Sequence, residues 1–579
     1  MPKISIAHLL DYTAGWESLS FLQIVCTSRM STGMVTNDEA EKGTPMPTDH
    51  TDSATAGPKY TDQSTRSLPP SKIITVFLAC ASVDFVALID QTSLAASLSI
   101  VSSSLQAGTQ ASWIAGGYFI TSTSFQLLYG RLSDVWSRKY VLLALLLVFF
   151  LGSLASSLSH TAIQLIIFRA IAGVGGGGLM TVAQVIVSDV VSLRQRGKYQ
   201  GIFGAVVAVA NGVGPLIGGA LATSSSQGWR WIFRLNLPLT ALCAVAILTV
   251  MPLKRIDGNW KEKLAKVDFF GCFLTLCGSI LFMLGLTWAG DDYPWSSTAV
   301  ILPIVLGFCT TVAFLLWQQY GTNYPLVPLY IFRQKMVNGA CITMFINGWN
   351  FVAQVYYIPT FYQLAYGYST VHAASLLLPL TLMQTFSSTL SGLIVTWRGR
   401  YRESILIGWA IWAVGLGLFS TLDQNSGLGK QIGYAILTGF GVGQTLQPSL
   451  IAIQAGVDKQ DMAVVTGTRN FVRNLGSTIG LAVTGTIINN VVRASLISWG
   501  LGLSEGQIRS LLRDPTSIDG LGLSSDLHHV LLTAYHIGFQ RVFYTMAALA
   551  TLSVGVASIL MPQIDLDQKE NCDQNAPKT

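Results

Sequence analysis

GRLSDVWSRK, Gly130 to Lys139, sets charge and glycine between two stretches that are almost wholly apolar, Ser112 to Tyr129 before it and Tyr140 to Ser157 after it. At about 1.5 Å of rise per residue, each flank is long enough to cross the ~30 Å hydrocarbon core of a bilayer. The decapeptide therefore reads as a tight turn closing a hairpin of two spanning helices. Asp134 and Arg138 stand i,i+4 and are spaced to pair, while Gly130 allows backbones to approach at the helix end.

Composition extends this reading to the whole chain. Of 579 residues, 51% are hydrophobic and only 11% charged, and mean hydropathy is +0.50. These values point to an all-α polytopic membrane protein. The net charge of +6 is dispersed over short loops rather than gathered into one patch, which argues against nucleic acid as a partner. Cys80, Cys243, Cys272, Cys277, Cys309 and Cys341 fall in apolar runs without metal-ligand spacing, so they read as packing residues and no metal site is expected. No nucleophile triad or phosphate loop stands on the inner loops, which argues against an enzyme.

Residues 1–71 are rich in Ser, Thr, Asp and Pro, lack a spanning run, and read as a mostly disordered cytoplasmic tail without a signal peptide. Six apolar runs between Ile73 and Met251 make a first bundle, residues 72–252. A basic linker, Pro252 to Lys266, and two further runs, Phe269 to Trp288 and Val300 to Trp317, occupy 253–318. Six more runs from Asn338 to Met561 make a second bundle, 319–562, and 563–579 form a second cytoplasmic tail. The count is about fourteen spans. With a cytoplasmic amino terminus, nineteen Lys and Arg residues fall in the short inner loops, Arg469 and Arg473 among them, against Arg230, Arg234 and Lys430 outside. By the positive-inside rule both ends then lie in the cytoplasm. The one long outer connection, Asn490 to Gln540, holds Leu501 to Leu512, whose mixed pattern suits either a helix on the membrane surface or a plain loop.

Ionisable groups inside spans are costly in hydrocarbon and mark function by default. The first span holds Asp84 and Asp90 and the fourth holds Arg169, while the second bundle has no carboxylate in any span. Proton coupling is therefore expected to run through the first bundle. Counted back from the outer helix ends, Asp90 and Arg169 both lie roughly 10 to 12 Å deep, where they can meet. Asp84 points about 120° away from Asp90 on the same helix. A static pair that locks two helices is the competing reading.

The order of residues in GRLSDVWSRK resembles the cytoplasmic loop motif of the major facilitator superfamily, keeping Gly130, Asp134, Arg138 and Lys139. Ser137 replaces a glycine of that motif, so the turn must avoid or strain the conformation that glycine permits. GLIVTWRGRYR, with Gly392, Gly399 and Arg400, is a fainter copy in which Thr396 stands at the acid's position, as a two-halved transporter would show. LIDQTSLAASL around Asp90 and FRAIAGVGGGGL around Arg169 resemble the first- and fourth-span motifs of the fourteen-spanner drug:proton antiporters, with Ala172 where many members have glutamine. NGVGPLIGG is similar to the antiporter motif of facilitator-type exporters through Gly214, Pro215, Gly218 and Gly219, with Ala210 in place of the upstream glycine. LRQRGKYQGI, GWRWIFRLNLP and GTRNFVRNLGSTIG are further matches, so the resemblance covers Ser71 to Met561. It implies a major facilitator fold of two six-helix bundles plus two extra central helices. It also implies proton coupling through Asp90 and Arg169, with Asp84, the other acid of the first span, as the next candidate, a cytoplasmic gating motif at Gly130 to Lys139, and no cofactor beyond the proton gradient.

The ninth span interleaves aromatic residues with amides, and Trp349, Asn350, Gln354 and Tyr357 are its candidate substrate-cavity residues; Tyr362 suits a lipid headgroup position. Such a surface suits a large amphipathic molecule. The expectation is a monomeric secondary transporter of the plasma membrane that exports a small amphipathic compound, a toxin, drug or secondary metabolite, against protons. A vacuolar carrier of basic amino acids and a transporter-like nutrient sensor are the alternatives.

Overall fold

The computed structural model describes residues 69–107, 111–225, 227–251, 267–289, 293–423, 425–458, 461–499 and 525–566. The amino-terminal tail to residue 68, the linker Pro252 to Lys266, Leu501 to Leu512 and the carboxyl tail from residue 567 lie outside the described residues, as do the side chains of Asp134 and Pro215.

The first half comprises α1 (Pro70–Ser104), α2 (Ala111–Ser124), α3 (Gln126–Val135), α4 (Arg138–Ser157), α5 (Ala162–Val190), α6 (Leu193–Thr223) and α7 (Arg230–Val250). A hairpin of α8 (Phe269–Trp288) and α9 (Thr298–Tyr320) follows. The second half comprises α10 (Lys335–Tyr366), a short α11 (Thr370–Ser375), α12 (Leu378–Arg398), α13 (Arg402–Phe419), α14 (Leu428–Ala455), α15 (Met462–Ser498) and α16 (Ser525–Leu560). Twelve helices are long and apolar enough to cross a membrane among the described residues. Two of the fourteen expected spans do not meet that measure. At Phe125 the second span is interrupted, so neither α2 nor α3 alone has the length, and α10 is long but diluted by Asn338, Asn347, Asn350, Gln354 and Gln363.

The packing repeats. In the first half α1 packs on α6 and α7, α5 on α2 and α4, and α4 on α7; in the second half α10 packs on α15 and α16, α14 on α12 and α13, and α13 on α16. The halves meet through α6 against α12 and α3 against α15, which are equivalent positions in the two repeats. Each half has its own apolar core, with Phe149, Leu179 and Ile186 in the first and Trp409, Trp412 and Phe361 in the second. Large apolar side chains also face outward, including Leu216, Leu242, Phe308 and Ile559, each more than half exposed. Apolar surface on that scale is expected where the surrounding solvent is lipid.

The hairpin is tied by Asp268, which caps α8 by accepting from the Gly271 amide and also accepts from Trp317 Nε1 at 2.9 Å and Gln318 Nε2 at 2.7 Å on α9. Ser279 donates to Ser124 of α2 at 2.7 Å, and Trp295 donates to Thr486 of α15 at 3.0 Å. The two extra helices thus touch both halves.

Several expectations are corrected. GRLSDV belongs to the last turns of α3, and only Trp136 and Ser137 make the turn. Ser137 sits at φ −59°, an ordinary conformation, so the glycine of the family motif is dispensable here, whereas Gly399 in the second copy does take the left-handed conformation at φ 68°. Arg469 and Arg473 are not in an inner loop but inside α15, which begins at Met462. The last outer connection is shorter than Asn490 to Gln540, because α15 continues to Ser498 and α16 starts at Ser525. Tyr362 is fully buried among Phe361, Tyr366 and Tyr368 rather than set at a headgroup.

Candidate functional site

Asp90 of α1 and Arg169 of α5 meet in the interior of the first half. Arg169 Nη1 donates to Asp90 Oδ2 at 2.6 Å, with the two side chains 2% and 0% exposed. The other carboxylate oxygen, Oδ1, accepts from Asn236 Nδ2 of α7 at 2.6 Å. A buried ion pair with both oxygens satisfied avoids the penalty of an unpaired charge in a low-dielectric interior. The guanidinium lies 4.4 Å from the Tyr118 ring centroid and 5.8 Å from that of Phe233, so both rings stand within cation–π range as well. Gln91, next to Asp90, donates to the Tyr118 hydroxyl at 3.3 Å. Three helices and one aromatic wall therefore converge on a single carboxylate.

Asn236 escaped the reading of the sequence, although the quoted motif GWRWIFRLNLP contains it. Its signal was an amide in an apolar run two residues before Pro238. Asp84 lies elsewhere on α1, buried, with Oδ1 unpartnered among the described residues. Ala172 packs against α4, where a Cβ on Gly152 would come 2.5 Å from the Ala172 nitrogen. The glutamine of related motifs has no room there unless α4 moves.

The face of α6 that carries the glycine motif lies on α1. Ser93 Oγ donates to the Gly214 carbonyl at 2.9 Å, and Cβ atoms at Gly214 and Gly218 would collide with Thr92 and Ser93, respectively. Gly219 has nothing within 4 Å. Two of the glycines thus permit helix contact next to Asp90, and α6 runs unbroken through Pro215.

At the inner ends, meaning those that carry the basic loops, the halves are in contact. A Cβ on Gly130 would come 2.9 Å from the Ala463 carbonyl oxygen of α15, and one on Gly392 of α12 would collide with the Gly197 carbonyl of α6. Arg196 donates to Gln454 at 3.2 Å, Gln454 to Ser188 at 2.9 Å, and Asn470 to Gln184 at 3.2 Å, all across the halves. Arg138 pairs with Asp189 of α5, and Lys139 Nζ donates at 2.8 Å to the Leu248 and Met251 carbonyls, where it complements the carbonyl end of α7. Just outward of this contact a cleft of about 40 Å³ opens between α6, α12 and α14, with Asn211, Gln384, Ser388 and Gln447 on its walls. It is sized for a few waters.

The four residues of α10 diverge. Trp349 packs against Gly480 of α15, and Tyr357 donates to the Leu481 carbonyl there at 3.3 Å. Asn350 faces the other way and donates to the Met546 carbonyl of α16 at 3.1 Å, which places it in the wall of the second half rather than in a cavity. Gln354 is buried, and neither its Nε2 nor its Oε1 has a partner among the described residues.

The family model described as Major Facilitator Superfamily matches residues 80–481. The chain is 32% identical over 479 residues to "Citrate exporter 1" of Yarrowia lipolytica, covering 83% of this chain and 71% of that protein. It is 29% identical over 533 residues to "MFS-type efflux pump LUC4" of a Fusarium species, covering 88% and 93%. Among solved structures, the proton:xylose symporter XylE superposes with a TM-score of 0.57 over 86% of this chain and 99% of that one, at 13% identity, a likeness of fold alone.

Proposed function

The chain belongs to the major facilitator superfamily, and on that footing we propose that it is a secondary active exporter, carrying a small amphipathic organic compound outward in exchange for protons by alternating access. The observation that carries this reading is the buried Asp90, held by Arg169 and Asn236 where α1, α5 and α7 meet. In the proposed cycle the carboxylate accepts a proton, the charge-assisted bond to Arg169 weakens, and α1 and α5 shift relative to each other. Because α1 also packs on the glycine face of α6, and α6 on α12, that shift reaches the contact between the halves. The inner contacts around Gly130 and Gly392 would then part to admit substrate from the cytoplasm. No cofactor beyond the proton gradient is needed, and one chain suffices. The plasma membrane is the compartment that suits export. The names of the relatives, efflux pumps and a citrate exporter, support export over uptake. Carriage of basic amino acids is disfavoured by the second half, whose interior charges Arg469 and Arg473 are positive.

The test is flux in vesicles holding the purified chain, with an imposed pH gradient and 1-naphthoate or its neutral amide as the probe. The parent should concentrate at least one of them and lose the gradient on addition of a protonophore. Asp90→Asn, which mimics the protonated state, should remain folded and bind probe without concentrating it. Concentration by Asp90→Asn that still collapses with protonophore would move the proton site elsewhere, with Asp84 next in line. Binding without any flux by the parent would favour a sensor.

A further inference from the structure

In the first half Asp90 and Arg169 pair with each other; the second half offers its two interior arginines no such pairing among the described residues. Arg469 and Arg473 lie i,i+4 on α15, and neither has an acidic partner among the described residues. Arg473 stands eleven residues into the helix, about 16 Å from its inner end. Arg469 spends its bonds locally, donating to the Leu446 carbonyl at 2.8 Å and to Asn470 at 3.0 Å. Arg473 is different. Its Nε donates to Asn347 Oδ1 at 3.0 Å, and its guanidinium lies 5.4 Å from the Phe351 ring centroid. Its Nη nitrogens make no hydrogen bond within the described residues, and the side chain is only half-buried.

Asn347 is itself fixed, donating to Thr445 Oγ1 of α14 at 3.1 Å, so the arginine is held by a bond that orients it while leaving the planar fork available. Asn347, Phe351 and Gln354 stand at i, i+4 and i+7, on one face of α10. That face thus presents a guanidinium partner, an aromatic ring and a buried amide without a partner. A fork of this kind matches a carboxylate in two parallel hydrogen bonds, and a carboxylate would also neutralise a charge that has no acidic partner among the described residues.

We propose that Arg473, with Phe351 and Gln354, is the recognition site for an organic anion: a carboxylate on an apolar or aromatic body. Arg473 takes the carboxylate, Phe351 flanks the body, and the Gln354 amide meets a polar group further outward. Asn347 is a positioning residue that keeps the fork turned to the ligand. This rests on the exporter reading and narrows the compound that the exporter carries.

The test is equilibrium binding to the full-length chain in nanodiscs, using a matched series of one ring system: 1-naphthoate, the neutral 1-naphthamide and the cationic 1-naphthylmethylammonium. The carboxylate should bind most tightly and the cation least, with a gap of roughly tenfold or more between carboxylate and amide, the scale of a charge-assisted hydrogen bond. Arg473→Gln should remove that gap by weakening the carboxylate while leaving the amide unchanged, and Arg473→Lys should restore part of it. A residue that only holds α10 against α15 would weaken all three ligands together. Equal binding of carboxylate and amide by the parent, an unchanged preference in Arg473→Gln, or no binding of the series at all overturns the proposal, and the parent series alone decides if the variants do not fold. Flux keeps the two readings apart. Charge-selective binding without proton-driven flux sinks the exporter and leaves the site, whereas proton-driven flux without charge preference does the reverse.

Discussion

Gly130 of α3 and Ala463 of α15 approach so closely that a methyl group on the glycine would come 2.9 Å from the alanine carbonyl oxygen. The glycine is therefore part of the contact by which the two halves close at their inner ends. Gly392 meets Gly197 at the equivalent place on the opposite side. Gly130→Leu should wedge the inner ends apart. The expected outcome is a longer distance between spin labels placed on the inner ends of α3 and α15, together with loss of transport while the protein still reaches the membrane. An unchanged distance would mean that the contact is incidental.

The Asp90–Arg169 pair makes an asymmetric prediction about stability. Asp90→Asn keeps an oxygen that accepts from Arg169 but leaves the guanidinium charge without its counter-ion, so the thermal unfolding temperature in detergent should fall, though by less than on loss of the whole Arg169 side chain. Arg169→Ala leaves a buried carboxylate held by Asn236 alone and should cost about 3–5 kcal/mol. The double variant Asp90→Asn/Arg169→Ala should recover part of that loss. Equal damage from both single variants would contradict the geometry.

Gly218 and Gly219 are neighbours with opposite expectations. A side chain at Gly218 runs into the Ser93 backbone of α1, while one at Gly219 meets nothing within 4 Å. Gly218→Leu should force α1 and α6 apart, costing about 1–3 kcal/mol or more from overpacking and abolishing flux. Gly219→Leu should be close to neutral in both. Size-exclusion yield and vesicle flux read the two effects, and a tolerant Gly218 would reduce the motif to generic packing.

Topology gives a prediction that needs no purified protein. A reporter fused after Thr579 should be cytoplasmic, and an epitope inserted in the connection between α15 and α16, for example after Leu512, should be labelled from outside in intact cells. Finding both on one side of the membrane would break the fourteen-span arrangement.

Much of this was legible in the chain itself. The hairpin around GRLSDVWSRK, the all-helical polytopic class and the two-halved repeat follow from local hydropathy and charge, because burying a helix in lipid demands about 20 apolar residues wherever the helix sits. Depth is also a one-dimensional quantity, so counting along α1 and α5 puts Asp90 and Arg169 at one level. What each residue faces is not one-dimensional. That Asn236 completes the bonding of Asp90, that Asn350 turns to α16 while Trp349 turns to α15, and that Gly130 meets Ala463 more than three hundred residues away were all decided by how the helices rotate and interlock. The same holds for Arg473. By sequence alone it resembles one more inner-loop charge, because α15 opens with several polar residues that blur its start; the fold sets it eleven residues inside the helix, where the tertiary contacts with Asn347 and Phe351 give the charge a place. Periodicity and composition act along one helix, while side-chain pairing depends on which faces of separate helices fit together, and that fit is settled by close packing between residues far apart in the chain.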